Sequence, residues 1–160
     1  MRQITAAPLT AEAFAPFGDV LELRAEPSFL INQGNCERHH HLAGIDTEGA
    51  AGVSLFHGQP YPLPLTLEMV ERHPLGSQAF IPMNASPFLV IVAEDGEGTP
   101  DTPRAFITSG TQGVSYNRNT WHGVLTPLSA PQTFAVVDRC APGENLQEHW
   151  FDTPYHVVLG

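Results

Sequence analysis

Glycine and proline interrupt this chain so often that long helices are strongly disfavoured. Its 160 residues include 14 glycines and 15 prolines, spread along the whole length. Glycine weakens the interior of a helix and proline breaks it, so this spacing favours short strands joined by turns. The length and a hydrophobic content of 42% suit one domain with a sizeable core. We predict a single all-β domain over residues 1–160.

The local patterns predict one short helix followed by a series of strands. Thr10 can cap a helix at Ala11–Phe14, which Pro16 ends, and we expect this helix to be peripheral. The predicted strands are residues 19–23, 29–32, 37–42, 53–57, 65–73, 78–83, 88–93, 104–108, 113–116, 121–126 and 133–138, with a last strand or short helix at 155–159. This number of short strands predicts a cupin-like double-stranded β-helix, a jelly-roll barrel that encloses a pocket.

The segment LTLEMVERHPLGSQAFIPM, residues 65–83, has the most informative pattern. As a strand, its first half would place five alternate side chains on one face: Leu65, Leu67, Met69, Glu71 and His73. That face begins apolar and ends with a carboxylate and an imidazole, which need a partner, a metal or a substrate if they are buried. After a turn at residues 74–76, we expect residues 78–83 to return as the hairpin partner, with Pro82 at an edge or a bulge.

Cupins usually place two histidines and a carboxylate on one hairpin and a third histidine on a later strand. The corresponding residues here are Glu71, His73, Gln78 and His122. This mixed oxygen and nitrogen set would suit a divalent ion only moderately, and we expect it to disfavour the iron chemistry of the two-histidine, one-carboxylate triad. Three interpretations remain open: a loosely held metal, a metal-free acid and base pocket, and histidines that only satisfy internal hydrogen bonds.

Arginine is the expected partner of an anionic substrate, because its guanidinium group binds carboxylates in a fork-like geometry. The candidates are Arg38 and Arg118, although each could instead form a surface salt bridge. Arg118 shares strand parity with Tyr116. Arg72 alternates away from Glu71 and should face outward or toward a partner subunit.

Two further groups of titratable residues attract attention. The run His39, His40, His41 resembles a metal site, but neighbours on a strand point to opposite faces, so the run has no fixed ligand geometry. Near the C-terminus, Glu148 and His149 form an acid and base pair that could cover the mouth of the barrel.

The charge balance excludes several classes of function. Acidic residues outnumber basic ones 17 to 7, which opposes binding to nucleic acid or to anionic membranes. All seven basic residues are arginines, so Schiff-base catalysis by lysine and a P-loop are excluded. Cys36 and Cys140 are far apart, and no apolar run approaches the ~20 residues that span a bilayer, so we expect a soluble cytoplasmic protein.

Several longer segments resemble the ureidoglycolate lyase family. They are ERHPLGSQAFIPM, RAFITSGTQGVSYNRNTWHGVL and VVDR, with AFAPFGDV and INQGNCER nearer the N-terminus. The resemblance covers nearly the whole chain. It implies a cupin-fold homodimer that splits (S)-ureidoglycolate into glyoxylate and urea in allantoin and purine catabolism, with nickel as the associated metal. Family members carry YHR followed by WHH, whereas this chain has Asn117 at the histidine of the first motif and Gly123 at the second histidine of the other.

The implied reaction is an elimination, because ureidoglycolate is a hemiaminal that bears a carboxylate. We expect Glu71 or His73 to take the hydroxyl proton and His122, or a bound metal, to polarise that oxygen. The candidates for substrate binding are Arg38, Arg118, Tyr116 and Asn32. Another cupin enzyme, such as a sugar-acid isomerase or a dioxygenase, and a non-catalytic module that binds a small acid remain as alternatives.

Overall fold

The computed structural model describes residues 2–160, which form one short helix and many strands. The helix is α1 (Ala11–Phe14). The strands are β1 (Arg2–Pro8), β2 (Gly18–Leu21), β3 (Phe29–Ile31), β4 (Cys36–Arg38), β5 (Ala51–Gly58), β6 (Leu65–Arg72), β7 (Gln78–Pro82), β8 (Phe88–Ala93), β9 (Asp95–Gly96), β10 (Thr99–Pro100), β11 (Arg104–Ile107), β12 (Gly113–Tyr116), β13 (Trp121–His122), β14 (Thr126–Pro127), β15 (Gln132–Arg139) and β16 (Gln147–Leu159). Across residues 2–160, no helix has the length and apolar character needed to cross a membrane.

Six strands close into a barrel in the order β11, β1, β16, β6, β13 and β8, and β8 pairs back with β11. Strand β14 is attached to the outside of this closed sheet through β8. Strand β1 runs parallel to both of its neighbours, and the other pairings in the barrel are antiparallel. The predicted all-β barrel with a short N-terminal helix is therefore confirmed.

A five-stranded sheet, in the order β2, β12, β7, β15 and β5, packs against one wall of the barrel. Strand β8 shows how the two layers share the core. Its residues Phe88, Val90 and Val92 belong to the cluster between the two sheets. Its residues Leu89, Ile91 and Ala93 belong to the cluster inside the barrel. All six are buried, as the continuous apolar run of this segment predicts.

The helix lies at the surface, and one of its side chains reaches the core. Thr10 caps it, because the Thr10 hydroxyl accepts a hydrogen bond from the Ala13 backbone N–H at 3.2 Å. However, Phe14 has no exposed surface and packs against Phe17, Phe106 and Tyr116. The helix is therefore peripheral, as predicted, with Ala11 and Glu12 exposed, and this single aromatic side chain anchors it to the core.

The predicted hairpin between residues 65–73 and 78–83 is also wrong. Strand β6 pairs with β13 and β16 of the barrel, whereas β7 pairs with β12 and β15 of the other sheet. The intervening turn therefore carries the chain from one sheet to the other. Strand β7 is central and not an edge, and Pro82 is tolerated at its last position because pairing with β12 ends at Phe80.

Strand β6 changes phase along its length, so its apolar and polar side chains do not share one face as predicted. Leu65, Leu67 and Val70 all belong to the cluster inside the barrel. The step of three residues between Leu67 and Val70 reverses the alternation, and the pairing with β16 is irregular at the same point. Glu71, next to Val70, therefore points out of the barrel toward the five-stranded sheet.

Several element bounds differ from the sequence-based ones. Strand β1 was not predicted, and β16 begins well before residue 155. The expected strand at 37–42 is reduced to β4, and the one at 121–126 is divided into β13 and β14. Residues 39–42 and 123–125 therefore lie outside the strands.

Candidate functional site

The site centres on Glu71, His73 and His122, which the fold brings together from two strands and a turn. Glu71 and His122 are direct partners in the β6–β13 pairing, and His73 follows the end of β6. One ligand atom from each of the three residues lies within 4.8 Å of the others. The two imidazole centroids are 5.2 Å apart. Within residues 2–160, this is the only cluster of histidine, cysteine, aspartate or glutamate with metal-ligand spacing.

Hydrogen bonds to backbone carbonyls fix the tautomer of both histidines. The Nδ1 atom of His73 lies 2.8 Å from the carbonyl oxygen of Asn145, and that of His122 lies 2.9 Å from the carbonyl oxygen of Gly123. A carbonyl can only accept, so Nδ1 carries a proton, and in the neutral imidazole Nε2 then presents a lone pair. Both Nε2 atoms are buried and have no hydrogen-bond partner in the described part of the chain. This arrangement is typical of metal-binding histidines and also suits a proton acceptor.

The burial of the site controls the protonation of its members. Burial, together with the charge of His73, lowers the pKa of His122 to about 3, so this imidazole is neutral near pH 7. Burial also raises the pKa of the Glu71 carboxyl; the nearby Glu148 adds to this effect and His73 opposes it. Burial, and secondly the charge of Glu71, raise the pKa of the Tyr116 phenol. Tyr116 therefore stays protonated.

The five-stranded sheet supplies the opposite wall of the site. The Tyr116 ring stacks on the His122 ring with a centroid distance of 4.4 Å and an interplanar angle of 4°. Gln78 is paired with Tyr116 across β7 and β12, and its side chain is buried. The Gln78 amide donates a hydrogen bond from Nε2 to Oδ2 of Asp138, at 2.9 Å. Oε1 of Gln78 is buried and lacks a hydrogen-bond partner among residues 2–160.

The sequence analysis missed Asp138 as a member of this wall. Its signal was present in the alternation of β15, because Phe134 and Val136 are buried core residues and Asp138 continues their face. A carboxylate that follows two core positions needs a polar partner, and Gln78 is that partner. The sequence alone did not show that β7, which carries Gln78, would lie beside β15.

Asn145 is a second missed residue, and it holds the turn that carries His73. Besides accepting from His73 through its backbone, Asn145 accepts a hydrogen bond from the Leu75 N–H through Oδ1 at 2.6 Å. The carbonyl of His73 accepts from the backbone N–H of Asn119 at 2.9 Å. These bonds fix the turn between β6 and β7. No local pattern around Asn145 predicts them, because the partners lie about 70 residues away.

The arginine candidates lie in other hydrogen-bonded groups. Arg118 binds Asp46 through two hydrogen bonds of 2.8 and 3.1 Å, and it also pairs with Glu48 at 3.4 Å. Arg38 lies on the β3–β4 hairpin with its guanidinium 5.7 Å from the Phe29 ring centroid. Asn32 lies in the exposed turn of that hairpin. Hydrogen bonds within the described residues connect none of these three to the central cluster, and their roles in substrate binding remain predictions.

Arg72 points away from the central cluster, as the alternation predicts, but it does not extend freely outward. Its guanidinium lies 4.2 Å from the Trp121 ring centroid and pairs with Asp95 at 3.0 Å. Only 13% of its side chain is exposed. The indole N–H of Trp121 also donates to Asp95, at 2.9 Å. The arginine, the indole and the carboxylate therefore form one interlocked group.

The expected pair of Glu148 and His149 does not form, because adjacent strand residues face opposite ways. Glu148 is the direct partner of Glu71 and lies on the side of the site. The His149 ring packs against Trp121 and Phe151, at 6.2 and 5.4 Å between centroids, on the barrel side. In the histidine run, the His39 ring accepts from the Arg24 N–H and lies near Glu37, apart from its neighbours.

Comparison with known proteins decides the family. A sequence profile described as Ureidoglycolate lyase matches residues 1–158. The chain belongs to the ureidoglycolate lyase family. It is 57% identical over 162 residues to a ureidoglycolate lyase of Chelativorans sp. (strain BNC1), covering 99% of this chain and 98% of that protein. It is also 56% identical over 159 residues to the one from Rhodobacter capsulatus, covering 98% of this chain and 99% of the relative.

At one of the two positions where this chain departs from the family pattern, the structure gives a steric reason. At Gly123, an added Cβ would lie 3.2 Å from the Cβ of Ile91, which is tighter than an ordinary packing distance. The Gly123 carbonyl also accepts the hydrogen bond that orients His122. A side chain at this position would press on the wall of the barrel. Nothing in the structure explains Asn117, which is exposed and lines a cavity of about 390 Å³ beside Arg118.

The structure also corrects the expectation about iron. That expectation assumed that Gln78 occupies the carboxylate position and that the triad is incomplete. Glu71 supplies the carboxylate instead, so Glu71, His73 and His122 together are one carboxylate and two histidines. This is the ligand composition of non-haem iron oxygenases. The composition of the site therefore does not exclude that chemistry.

Proposed function

We propose that this protein is a carbon–nitrogen lyase that splits ureidoglycolate into glyoxylate and urea. The observation that carries the proposal is the pair of bare, buried Nε2 atoms of His73 and His122 beside Glu71, in a chain of this family. In the reaction, the hydroxyl of the hemiaminal loses its proton and its oxygen forms a carbonyl. The carbon–nitrogen bond breaks, and its electron pair goes to nitrogen, which takes up a proton. Atoms and charges balance without another reactant.

His73 is the proposed proton carrier. Its Nε2 lone pair is free to accept the hydroxyl proton, while Asn145 holds the ring through Nδ1. The resulting imidazolium would lie beside the Glu71 carboxylate, which stabilises the positive charge. The same proton can then pass to the departing urea nitrogen. His122 is a poor base, because its pKa is lowered to about 3, so it remains a neutral group that orients the substrate oxygen.

The same three residues fit a divalent metal ion. The Glu71 carboxylate and the Nε2 atoms of His73 and His122 would hold it, and Asn145 and Gly123 supply the carbonyls that orient the two rings. When bound, such an ion would supply Lewis acidity to the substrate hydroxyl. Nickel is the proposed ion because the family resemblance implies it, and imidazole is a ligand that suits it. Activity that survives exhaustive chelation, with no metal in elemental analysis, would refute a required metal.

Arg38 and Arg118 remain the proposed partners of the substrate carboxylate. Arg118 lies beside the cavity that Asp46, Ser77 and Asn117 also line. Its guanidinium would have to exchange Asp46 or Glu48 for the substrate. Arg38 would not have to give up a carboxylate, because its contact in the structure is with the aromatic ring of Phe29. Each arginine is replaced with alanine in a separate variant. The variant that lacks the arginine bound to the substrate carboxylate should show a KM for ureidoglycolate that is about 10-fold higher or more, and the other variant should keep the wild-type KM.

A homodimer is also part of the proposal, and the outer face of the five-stranded sheet supports it. Leu55 and Ile81 flank Ala135 on adjacent strands and face solvent, with 67% and 44% of their surface exposed. Val53 and Met83 extend this apolar surface, with exposed fractions of 75% and 64%. Contiguous apolar surface of this kind usually marks an interaction site.

A cytoplasmic location completes the proposal, and both cysteines are free thiols in the structure, as expected in a reducing compartment.

The deciding experiment measures urea, ammonia and glyoxylate separately after adding ureidoglycolate to the purified protein. Equal amounts of urea and glyoxylate without ammonia would support the lyase reaction. Release of ammonia would indicate a hydrolase and refute the proposal, as would the absence of any product. The His73→Ala variant serves as the matched control, because the hemiaminal also decomposes spontaneously.

A non-haem iron dioxygenase is the second candidate, and only the two-histidine, one-carboxylate composition favours it. Protein loaded with ferrous iron should then consume oxygen when small hydroxy acids are added. An uptake no faster than that of the Glu71→Ala variant would remove this candidate.

A further inference from the structure

The Gln78 side chain is oriented by a partner outside the central cluster. Asp138 offers only acceptor oxygens to Gln78, so the nitrogen of the amide must face Asp138 at 2.9 Å. The carbonyl oxygen Oε1 then has to point the other way. It is buried without a partner in the described structure, on a side chain that is 6% exposed. Such an acceptor costs free energy unless a donor arrives.

The direction of that oxygen is set by the strands around it. Gln78 lies on the same face of β7 as Phe80, which belongs to the core between the two sheets. Its direct partner on β12 is Tyr116, whose ring lies on His122. The unpartnered acceptor therefore lies on the wall that faces Glu71, His73 and His122. A ligand that entered between the two walls would meet unpartnered acceptors on both sides, Oε1 of Gln78 on one and the two histidine Nε2 atoms on the other.

We propose that Asp138 is a positioning residue that locks Gln78 so that Oε1 accepts an N–H from the ureido end of the substrate. This inference rests on the proposed function and specifies how the site recognises the ureido group of the substrate. The substrate class that fits is an N-carbamoyl acid, because its NH and NH₂ groups are donors. A substrate with an ester or carboxylate oxygen at the same place would face Oε1 with a lone pair and be rejected.

The test compares the affinities of two ligands that cannot react. N-Carbamoylglycine has the ureido group and the carboxylate but no hydroxyl, so it cannot undergo the elimination. Glycolate has the carboxylate and the hydroxyl but no ureido group. Isothermal titration of both ligands, with the metal content of each sample determined in parallel, separates recognition of the ureido end from effects on the rest of the site.

Three variants probe the lock. Gln78→Leu removes the acceptor, and Asp138→Asn keeps the shape but lets the glutamine amide turn, because asparagine both donates and accepts. The double variant Gln78→Glu with Asp138→Asn exchanges the donor and the acceptor of this hydrogen bond. The asparagine amide at position 138 would donate to one carboxylate oxygen of the glutamate at position 78, and the other carboxylate oxygen would stay free to accept from the substrate. Gln132→Leu is the matched control. Gln132 is also buried and held through Nε2, but it lies at the other end of β15, about 20 Å from Asp138.

The variants should affect the binding of the two ligands to different extents. Gln78→Leu and Asp138→Asn should weaken N-carbamoylglycine binding about 10-fold or more and change glycolate binding less than about threefold. The double variant should recover most of the lost affinity, and Gln132→Leu should match the wild type in both titrations even if its Tm falls.

Other outcomes overturn the inference. If the wild type releases urea from ureidoglycolate but the two single variants bind N-carbamoylglycine normally, the inference alone fails. Equal weakening of both ligands with loss of bound metal would make Gln78 a metal ligand and would also overturn it. A wild type that neither binds N-carbamoylglycine nor releases urea would overturn the proposed function together with the inference.

Discussion

The buried, neutral state of His122 predicts a specific dependence of stability on pH. Its pKa is about 3 in the folded protein, against 6.5 for an unperturbed histidine. The unfolded chain therefore binds more protons than the folded one between these values, and the folded state loses stability as the pH falls from about 6.5 toward 3. At pH 4.5 the loss relative to pH 7.5 amounts to roughly 2 to 3 kcal/mol from this residue alone, by proton linkage.

The assay is guanidinium chloride unfolding at several pH values from 4.5 to 7.5, with a chelator present throughout. Wild type is compared with His122→Asn, because asparagine retains a donor for the Gly123 carbonyl and does not titrate. The substitution lowers stability at every pH, so the informative quantity is the change with pH and not the offset. The wild-type free energy of unfolding should fall about 2 to 3 kcal/mol more than that of the variant.

Parallel curves for the two proteins would refute the reasoning. They would mean that His122 binds a proton in the folded state as readily as in the unfolded chain, so that the site is more hydrated than its burial indicates. A smaller but definite difference would place the folded pKa closer to 6.5. Titrating groups outside the Glu71, His73 and His122 cluster contribute equally to both proteins and cancel in the comparison.

Three further predictions concern catalysis, assembly and packing. His73→Ala should lower kcat by a factor on the order of 10² to 10⁴ with little change in Tm, and unaltered turnover in a ureidoglycolate assay would remove His73 from the mechanism. Leu55→Glu should convert a dimer into a monomer in light scattering after size exclusion, while an unchanged mass would place the interface elsewhere. Phe134→Ala, at a fully buried ring packed on Phe80 and Phe88, should cost about 3 to 5 kcal/mol in chemical unfolding, whereas Phe29→Ala, at a 45% exposed ring, should cost much less.

Local chemistry determined much of this protein in advance. The turn residues and strand alternation predicted an all-β barrel, and the six apolar residues of β8 predicted a strand buried on both sides. Polar residues at the end of β6 identified Glu71 and His73 as site candidates, and the usual ligand pattern of cupins added His122. These features depend on residues close together in the chain, where steric preferences and alternation operate directly.

Only the tertiary structure decided which strands lie side by side. Residues 65–73 and 78–83 look like a hairpin, yet they belong to different sheets, and the phase change in β6 turns Glu71 away from Leu65 and Leu67. Asp138 and Asn145 join the site through hydrogen bonds to residues 60 to 72 positions away. Pairing between distant strands depends on the packing of the whole core, which no local pattern encodes. The sequence therefore determined the reactive groups, and the packing of the two sheets decided which atoms those groups present to a ligand.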